Sequence, residues 1–168
     1  TIQVESKINE GTRYTIVLPF QVDHHPKIDA DPMEHLSLKG KKALLAEDNN
    51  LNMEIARFQL EQEEIEVFTA SNGKEAVEMF EASQPGFYDI ILMDIMMPVM
   101  DGLEATRRIR SMNRRDAMTI PIVAMSANAF QEDVEKSLAA GLNAHLTKPL
   151  DGKKVMETMK KYLGNKMR

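Results

Sequence analysis

From Lys41 onward the apolar positions fall into short continuous runs separated by stretches of a different period. Ala43-Leu44-Leu45-Ala46, Val67-Phe68-Thr69, Ile90-Ile91-Leu92-Met93, Ile120 to Met125 and Ala144 to Thr147 are too short for helices. They are continuous enough for strands buried on both faces. Between them apolar residues return at helical spacing: Ala76, Val77 and Phe80 in one segment, and Val155, Met156, Met159 and Leu163 in another. Strands alternating with helices in this way predict an α/β fold, a doubly wound five-stranded parallel sheet with right-handed crossovers and helices on both faces.

The N-terminal quarter has a different pattern. Thr1 to Ser6 and Arg13 to Phe20 alternate and are rich in Ile, Val, Thr and Tyr, with Asn9-Glu10-Gly11 between them, which predicts a β-hairpin arm. A two-stranded hairpin is marginal alone in water and needs a further surface. Residues 21–40 carry Pro26, Pro32 and three of the four histidines without either periodicity, so they are expected to be a linker. The expected organisation is therefore 1–20 hairpin, 21–40 linker, 41–163 α/β domain and 164–168 C-terminal tail.

Composition narrows the function classes. The chain has no cysteine, which excludes disulfides and thiolate metal sites. No apolar stretch approaches the roughly 20 residues that span a bilayer, and the N-terminus lacks the order of a signal peptide. A formal net charge of -5 argues against nucleic acid as a partner. The basic cluster Arg107, Arg108, Arg110, Arg114 and Arg115 is accordingly expected to be a solvated face.

The candidate chemistry sits where strands end. Glu47 and Asp48 follow the first run, Asp94 the third, Ser126 the fourth and Lys148 the fifth. In a sheet ordered 2-1-3-4-5, the flavodoxin-like order, the first and third strands are neighbours, and ligands bind at their carboxyl ends where the winding reverses. Three carboxylates gathered there repel unless a cation neutralises them, and a hard divalent ion with oxygen ligands, Mg²⁺ or Mn²⁺, suits that set. A carboxylate beside such an ion can attack phosphorus while a hydroxyl and an ammonium hold the phosphoryl oxygens. Taken singly, each residue also has a plain structural use. Asp48, for example, is placed to cap the following helix.

Taken together, Leu38-Lys39-Gly40, Glu47-Asp48-Asn49, Asp94-Ile95-Met96-Met97-Pro98-Val99-Met100-Asp101-Gly102, Ser126-Ala127 and Lys148-Pro149-Leu150 resemble the receiver domains of two-component response regulators. The resemblance implies that Asp94 takes a phosphoryl group from a phosphohistidine on a partner. That partner is either the dimerisation helix of a histidine kinase or a histidine phosphotransfer protein. It further implies that Asp48, Asp94 and the backbone carbonyl of Met96 ligate the metal, with Glu47 acting through water. Ser126, Lys148 and the backbone of Ala127 would contact the phosphoryl group, and Lys148-Pro149 is a candidate cis peptide. Three residues before the lysine such receivers most often carry Tyr or Phe, a ring that turns inward on phosphorylation. Here His145 stands in that place, as a switch residue or as a strand histidine without that role.

Val4-Glu5-Ser6, Gly11-Thr12 and Leu18-Pro19-Phe20 resemble the last hairpin of a histidine-kinase ATP-binding domain. Hairpin, linker and receiver in that order imply the C-terminal piece of a hybrid sensor kinase. This piece is expected on the cytoplasmic side, meeting a membrane only through its parent and not itself acting as a kinase. A homodimer through the hairpin edges is open. Four other readings compete with this one. A haloacid-dehalogenase-like phosphohydrolase wants a second Asp two residues after the nucleophile, where Met96 stands. A pseudo-receiver lacks an acceptor, acidic pair or lysine, and all are here. His35-Leu36-Ser37-Leu38-Lys39-Gly40 imitates a phosphotransfer histidine without a four-helix pattern around it. His24, His25, Asp23, Asp29 and Asp31 lack ligand spacing on a rigid element and are expected to be solvated.

Overall fold

The computed structural model describes residues 1–7, 11–18, 37–127 and 131–164, with 131–134 by backbone alone. The expected linker up to residue 36, with its histidines and aspartates, and tail residues 165–168 lie outside the described residues.

Two units divide the chain. In the first, β1 (Ile2–Lys7) pairs antiparallel with β2 (Gly11–Ile16) in the register Ile2↔Ile16, Val4↔Tyr14 and Ser6↔Thr12. That register collects Ile2, Val4, Tyr14 and Ile16 on one face, because side chains alternate along a strand. Glu5 opposite Arg13 marks the other face.

The second unit follows the order β3 (Lys42–Ala46), α1 (Asn50–Glu61), β4 (Glu66–Ala70), α2 (Gly73–Ala82), β5 (Ile90–Asp94), α3 (Gly102–Ser111), β6 (Ile122–Ser126), α4 (Gln131–Ala139), β7 (Ala144–Thr147) and α5 (Gly152–Gly164). Its strands form one parallel sheet ordered β4-β3-β5-β6-β7, the 2-1-3-4-5 order in this unit's own count. The period-2 alternation of the central strands divides the core. Leu44, Ala46, Ile91, Met93, Ile122 and Ala124 point to the side covered by Ala76, Val77 and Phe80 of α2 and Ala105 and Ile109 of α3. Ala43, Leu45, Ile90, Leu92, Val123 and Met125 meet Met53, Ala56 and Leu60 of α1 and Val155, Met159 and Leu163 of α5. Both faces of β5 and β6 are buried, which is why these strands read as unbroken apolar runs.

The second hairpin strand begins at Gly11, ahead of the expected Arg13, and ends at Ile16, and the second unit departs from the sequence reading in three further respects of packing. Leu38, placed in the linker, is buried in the core, and Gly40 N–H donates to Glu64 O at 2.8 Å, so packing begins ahead of Lys41. The fourth strand starts at Ile122: Pro121 lacks an N–H for the ladder, although its carbonyl accepts from Ile91 N–H at 2.9 Å. The arginine cluster is not one solvated face. Arg107 and Arg108 are exposed beside Glu104, but Arg110 reaches Gly141 O (2.9 Å), Ala117 O (2.6 Å) and Asn143 Oδ1 (2.9 Å). Arg114 lies 4.2 Å over the Phe80 ring, donates to Phe80 O at 2.5 Å and pairs with Asp116 at 2.7 Å. A guanidinium supplies five donors in a fixed fork, so both side chains are used to close the free carbonyls of turns and helix ends.

Candidate functional site

The strand order brings the carboxyl ends of β3 and β5 side by side. Glu47 follows β3 and is buried, Asp48 beside it is exposed, and Asp94 ends β5 at 4 % exposure. Asp48 is not a helix cap, the structural use weighed beside its metal role. Asn49 takes that place, its Oδ1 accepting from Leu51 N–H at 3.0 Å and Asn52 N–H at 3.1 Å, which leaves the Asp48 carboxylate uncommitted to the helix. Carboxylate oxygens of Glu47, Asp48 and Asp94 lie within 4.8 Å of one another, the one such acidic group among the described residues.

Lys148 enters from the end of β7. Its Nζ lies 2.5 Å from Glu47 Oε2 and 2.7 Å from Asp94 Oδ2, and its backbone N–H donates to Ser126 O at 2.8 Å. The Lys148-Pro149 peptide is cis. One ammonium against three carboxylates leaves the site two charges negative. At an effective dielectric near 20 each like pair about 5 Å apart repels by roughly 3 kcal/mol. Burial pushes the Asp94 carboxyl above its ordinary range, the Lys148 hydrogen bond and charge oppose this, and Glu47 adds to it. For Lys148 burial pulls downward, but hydrogen bonds and charge from Asp94 and Glu47 outweigh it and the ammonium is held above its usual value. An all-oxygen donor set with surplus negative charge fits a hard divalent cation.

The other named residues gather next to this cluster. Met96 N–H donates to Asp94 Oδ1 at 3.2 Å. Ser126, buried at the end of β6, opens on a cavity of about 220 Å³ whose lining includes Ile95, Met96, Leu103, Ala127 and His145. His145 Nδ1 and Ser137 Oγ are 3.5 Å apart there. His145 thus shares a cavity with Ser126 and Met96, and none of the three carboxylates lines it. One residue escaped the sequence reading: Asn52 Nδ2 donates to Glu47 Oε1 at 3.1 Å and, with Lys148, fixes that carboxylate from two sides. An amide one turn into a helix carries no signal of its own, and only its position five residues after Glu47 could have pointed to it.

Carboxylates and a lysine at the winding reversal of a five-stranded parallel sheet define a class, the phosphoacceptor signalling module. The model of the response regulator receiver domain matches residues 43–160, and the chain belongs to that family. Its relatives include a probable histidine kinase of Oryza sativa subsp. indica, 34% identical over 73% of this chain. Histidine kinase 5 of Arabidopsis thaliana is 30% identical over 92% of it. The chain spans 15% and 19% of those two proteins. It spans 98% of the polar-differentiation response regulator DivK of Brucella anthropi, to which it is 34% identical over 74% of its own length. Among solved structures, the receiver domain of a Pseudomonas aeruginosa sensor histidine kinase, with magnesium in its active-site cleft, is 36% identical with a TM-score of 0.67, covering 74% of this chain and 98% of that one. The receiver domain of the Saccharomyces cerevisiae regulator Ssk1, crystallised with a histidine phosphotransfer protein, is 28% identical with a TM-score of 0.68, covering 77% and 93%.

Proposed function

We propose that Asp94 is the phosphoacceptor of a His-Asp phosphorelay. The observation that carries this is the pairing of a cation-seeking carboxylate group, buried Glu47 and Asp94 with exposed Asp48, with an ammonium already bonded to Asp94. An Asp94 carboxylate oxygen attacks the phosphorus of a phosphohistidine, the P–N bond breaks, and the imidazole leaves and takes up a proton. Lys148 and the Ser126 hydroxyl, with the Ala127 backbone N–H, are assigned to the phosphoryl oxygens, where preorganised donors stabilise the charge that moves onto them. Asp48, Asp94 and the Met96 carbonyl would hold Mg²⁺ or Mn²⁺, with Glu47 acting through water, and the bound ion supplies electrostatic neutralisation of the phosphoryl oxygens. His145 is assigned to the adjoining cavity as the switch ring.

The partner is a helix presenting phosphohistidine. Leu51, Ile55 and Phe58 of α1, at i, i+4 and i+7, are 70%, 47% and 63% exposed, an apolar stripe of the kind that docks on another helix. The receiver crystallised with a phosphotransfer protein supports that choice. The histidine-kinase relatives, one of them aligned over 92% of this chain, support an origin in a cytoplasmic part of a hybrid sensor kinase, with residues 1–20 a strand pair of its preceding domain. Hydrolytic turnover is disfavoured because Met96 stands where an acid would be required.

The test is incubation with acetyl phosphate and Mg²⁺ followed by intact mass. One phosphate should be added, and none in Asp94→Asn or with chelator. Labelling that survives either change would falsify the assignment.

A further inference from the structure

The backbone from Ile95 to Asp101 connects the acceptor to α3 and carries the Met96 carbonyl. Gly102 N–H donates to Ile95 O at 3.0 Å and Met100 N–H to Pro98 O at 2.7 Å, so the loop is closed on itself. Inside both bonds sits Val99 with φ of +68. A β-branched residue in the left-handed region is strained, and such strain persists only where the surroundings over-determine the backbone. The Val99 side chain is 79% exposed, so packing on it does not hold this conformation. The restraint must come from the backbone on either side.

The Met100 to Pro98 bond spans Val99 alone and supplies the local part of that restraint, and the first residue of α2 anchors Met100 from the other side. Gly73 N–H donates to Met100 O at 3.1 Å. A Cβ on Gly73 would lie 2.5 Å from Met100 O and 3.0 Å from both Asp101 O and the Ala105 Cβ. The first two are backbone atoms and cannot rotate aside. Gly102 is as tightly placed on the other flank, its absent Cβ falling 2.1 Å from Asp94 O. Helix α2 therefore abuts the loop through a residue that offers only an amide, and the close approach itself demands glycine.

We infer that Gly73 is a positioning residue for the acceptor site. Its N–H and its missing side chain fix Met100, and through the strained Val99 they hold the arc that presents the Met96 carbonyl and aims Met96 N–H at Asp94. The inference rests on the phosphoacceptor reading above. Displacing Met100 moves a metal-presenting backbone without touching any ligand side chain.

The experiment is a Mg²⁺ titration of the full chain by ¹⁵N NMR, paired with the rate of acetyl phosphate labelling. Gly73→Ala should stay folded, bind Mg²⁺ about tenfold more weakly, as supporting-residue changes at metal sites do, and label correspondingly slowly. Phe80→Leu loosens the same helix away from its N-terminus. It should lower the melting temperature yet leave the Mg²⁺ affinity within about twofold of wild type, which separates positioning from general destabilisation. A folded Gly73→Ala with wild-type affinity and rate overturns the inference. If that variant does not fold, the wild-type Gly73 amide decides. It should shift with the same midpoint as the Met96 and Asp94 amides, and an unmoved Gly73 resonance overturns the inference. A wild-type chain that binds no Mg²⁺ and takes no label removes the phosphoacceptor reading, and the inference with it.

Discussion

Asp94 and Asp116 are carboxylates with opposite roles in stability. Burial raises the Asp94 pKa, so its ionised form is penalised in the fold. The penalty is absent below the ordinary aspartate value of about 4 and grows as pH rises through the higher folded value. Asp94→Asn should therefore melt higher than wild type at pH 7 in chelator, and the gap should close in acid. Asp116 is held down to about 2, first by its hydrogen bonds from Arg114 and against some cost of burial. Its contribution is present above about pH 4 and is lost as pH falls through about 2. Asp116→Asn should lose on the order of 1 kcal/mol at pH 7, the pKa difference being discounted for solvent screening, with the deficit shrinking between about pH 4 and pH 2. Thermal melts of both variants across pH check the two signs together, and a common sign would refute the assignment of burial to one and pairing to the other.

Among the elements, α1 has two separable faces. Met53, Ala56 and Leu60 are buried against the sheet, whereas Leu51, Ile55 and Phe58 are exposed. Phe58→Glu should leave folding and acetyl phosphate labelling intact, because neither the core nor the acidic group is altered. Transfer from a phosphorylated histidine protein should fall at least tenfold, since a charge set into an apolar contact opposes docking. Equal transfer rates would place the partner elsewhere. The sequence had already exposed the elements themselves: each apolar run became a strand and each helical repeat a helix. The exceptions have local causes. Pro121 delays β6, and Asn49 wins the cap of α1 because its amide oxygen, not the Asp48 carboxylate, lies over the first free N–H groups.

At the scale of the whole molecule, residues 37–164 contain both core layers and every member of the acidic group. The hairpin closes its own ladder, from Val17 N–H bonding Thr1 O at 2.8 Å to Ser6 and Thr12 hydroxyls at 2.8 Å. Deleting residues 1–36 should leave the cooperative melt of the receiver and its labelling rate unchanged within about twofold. A receiver that fails to fold without that segment would show that the two units share stability. Size-exclusion of both forms tests whether the apolar hairpin face drives pairing between chains, which would appear as a larger species that the deletion abolishes.

The linear chain determined the elements and the α/β class and marked the strand-end carboxylates, because buried parallel strands and the acidic residues that follow them are written in residue type and local period. Only the tertiary structure decided what depends on approach between distant segments. Arg110 and Arg114 look like solvated charges until turn carbonyls converge on them. Leu38 reads as linker until α1 and α5 supply the core it enters, and Asn52 gains meaning only from the nearby Glu47 carboxylate. Gly73 shows the same limit most sharply. Its sequence position is an ordinary helix start, and what leaves no room for a side chain is Met100, whose carbonyl oxygen would lie 2.5 Å from a Cβ there, a neighbour that chain folding alone provides.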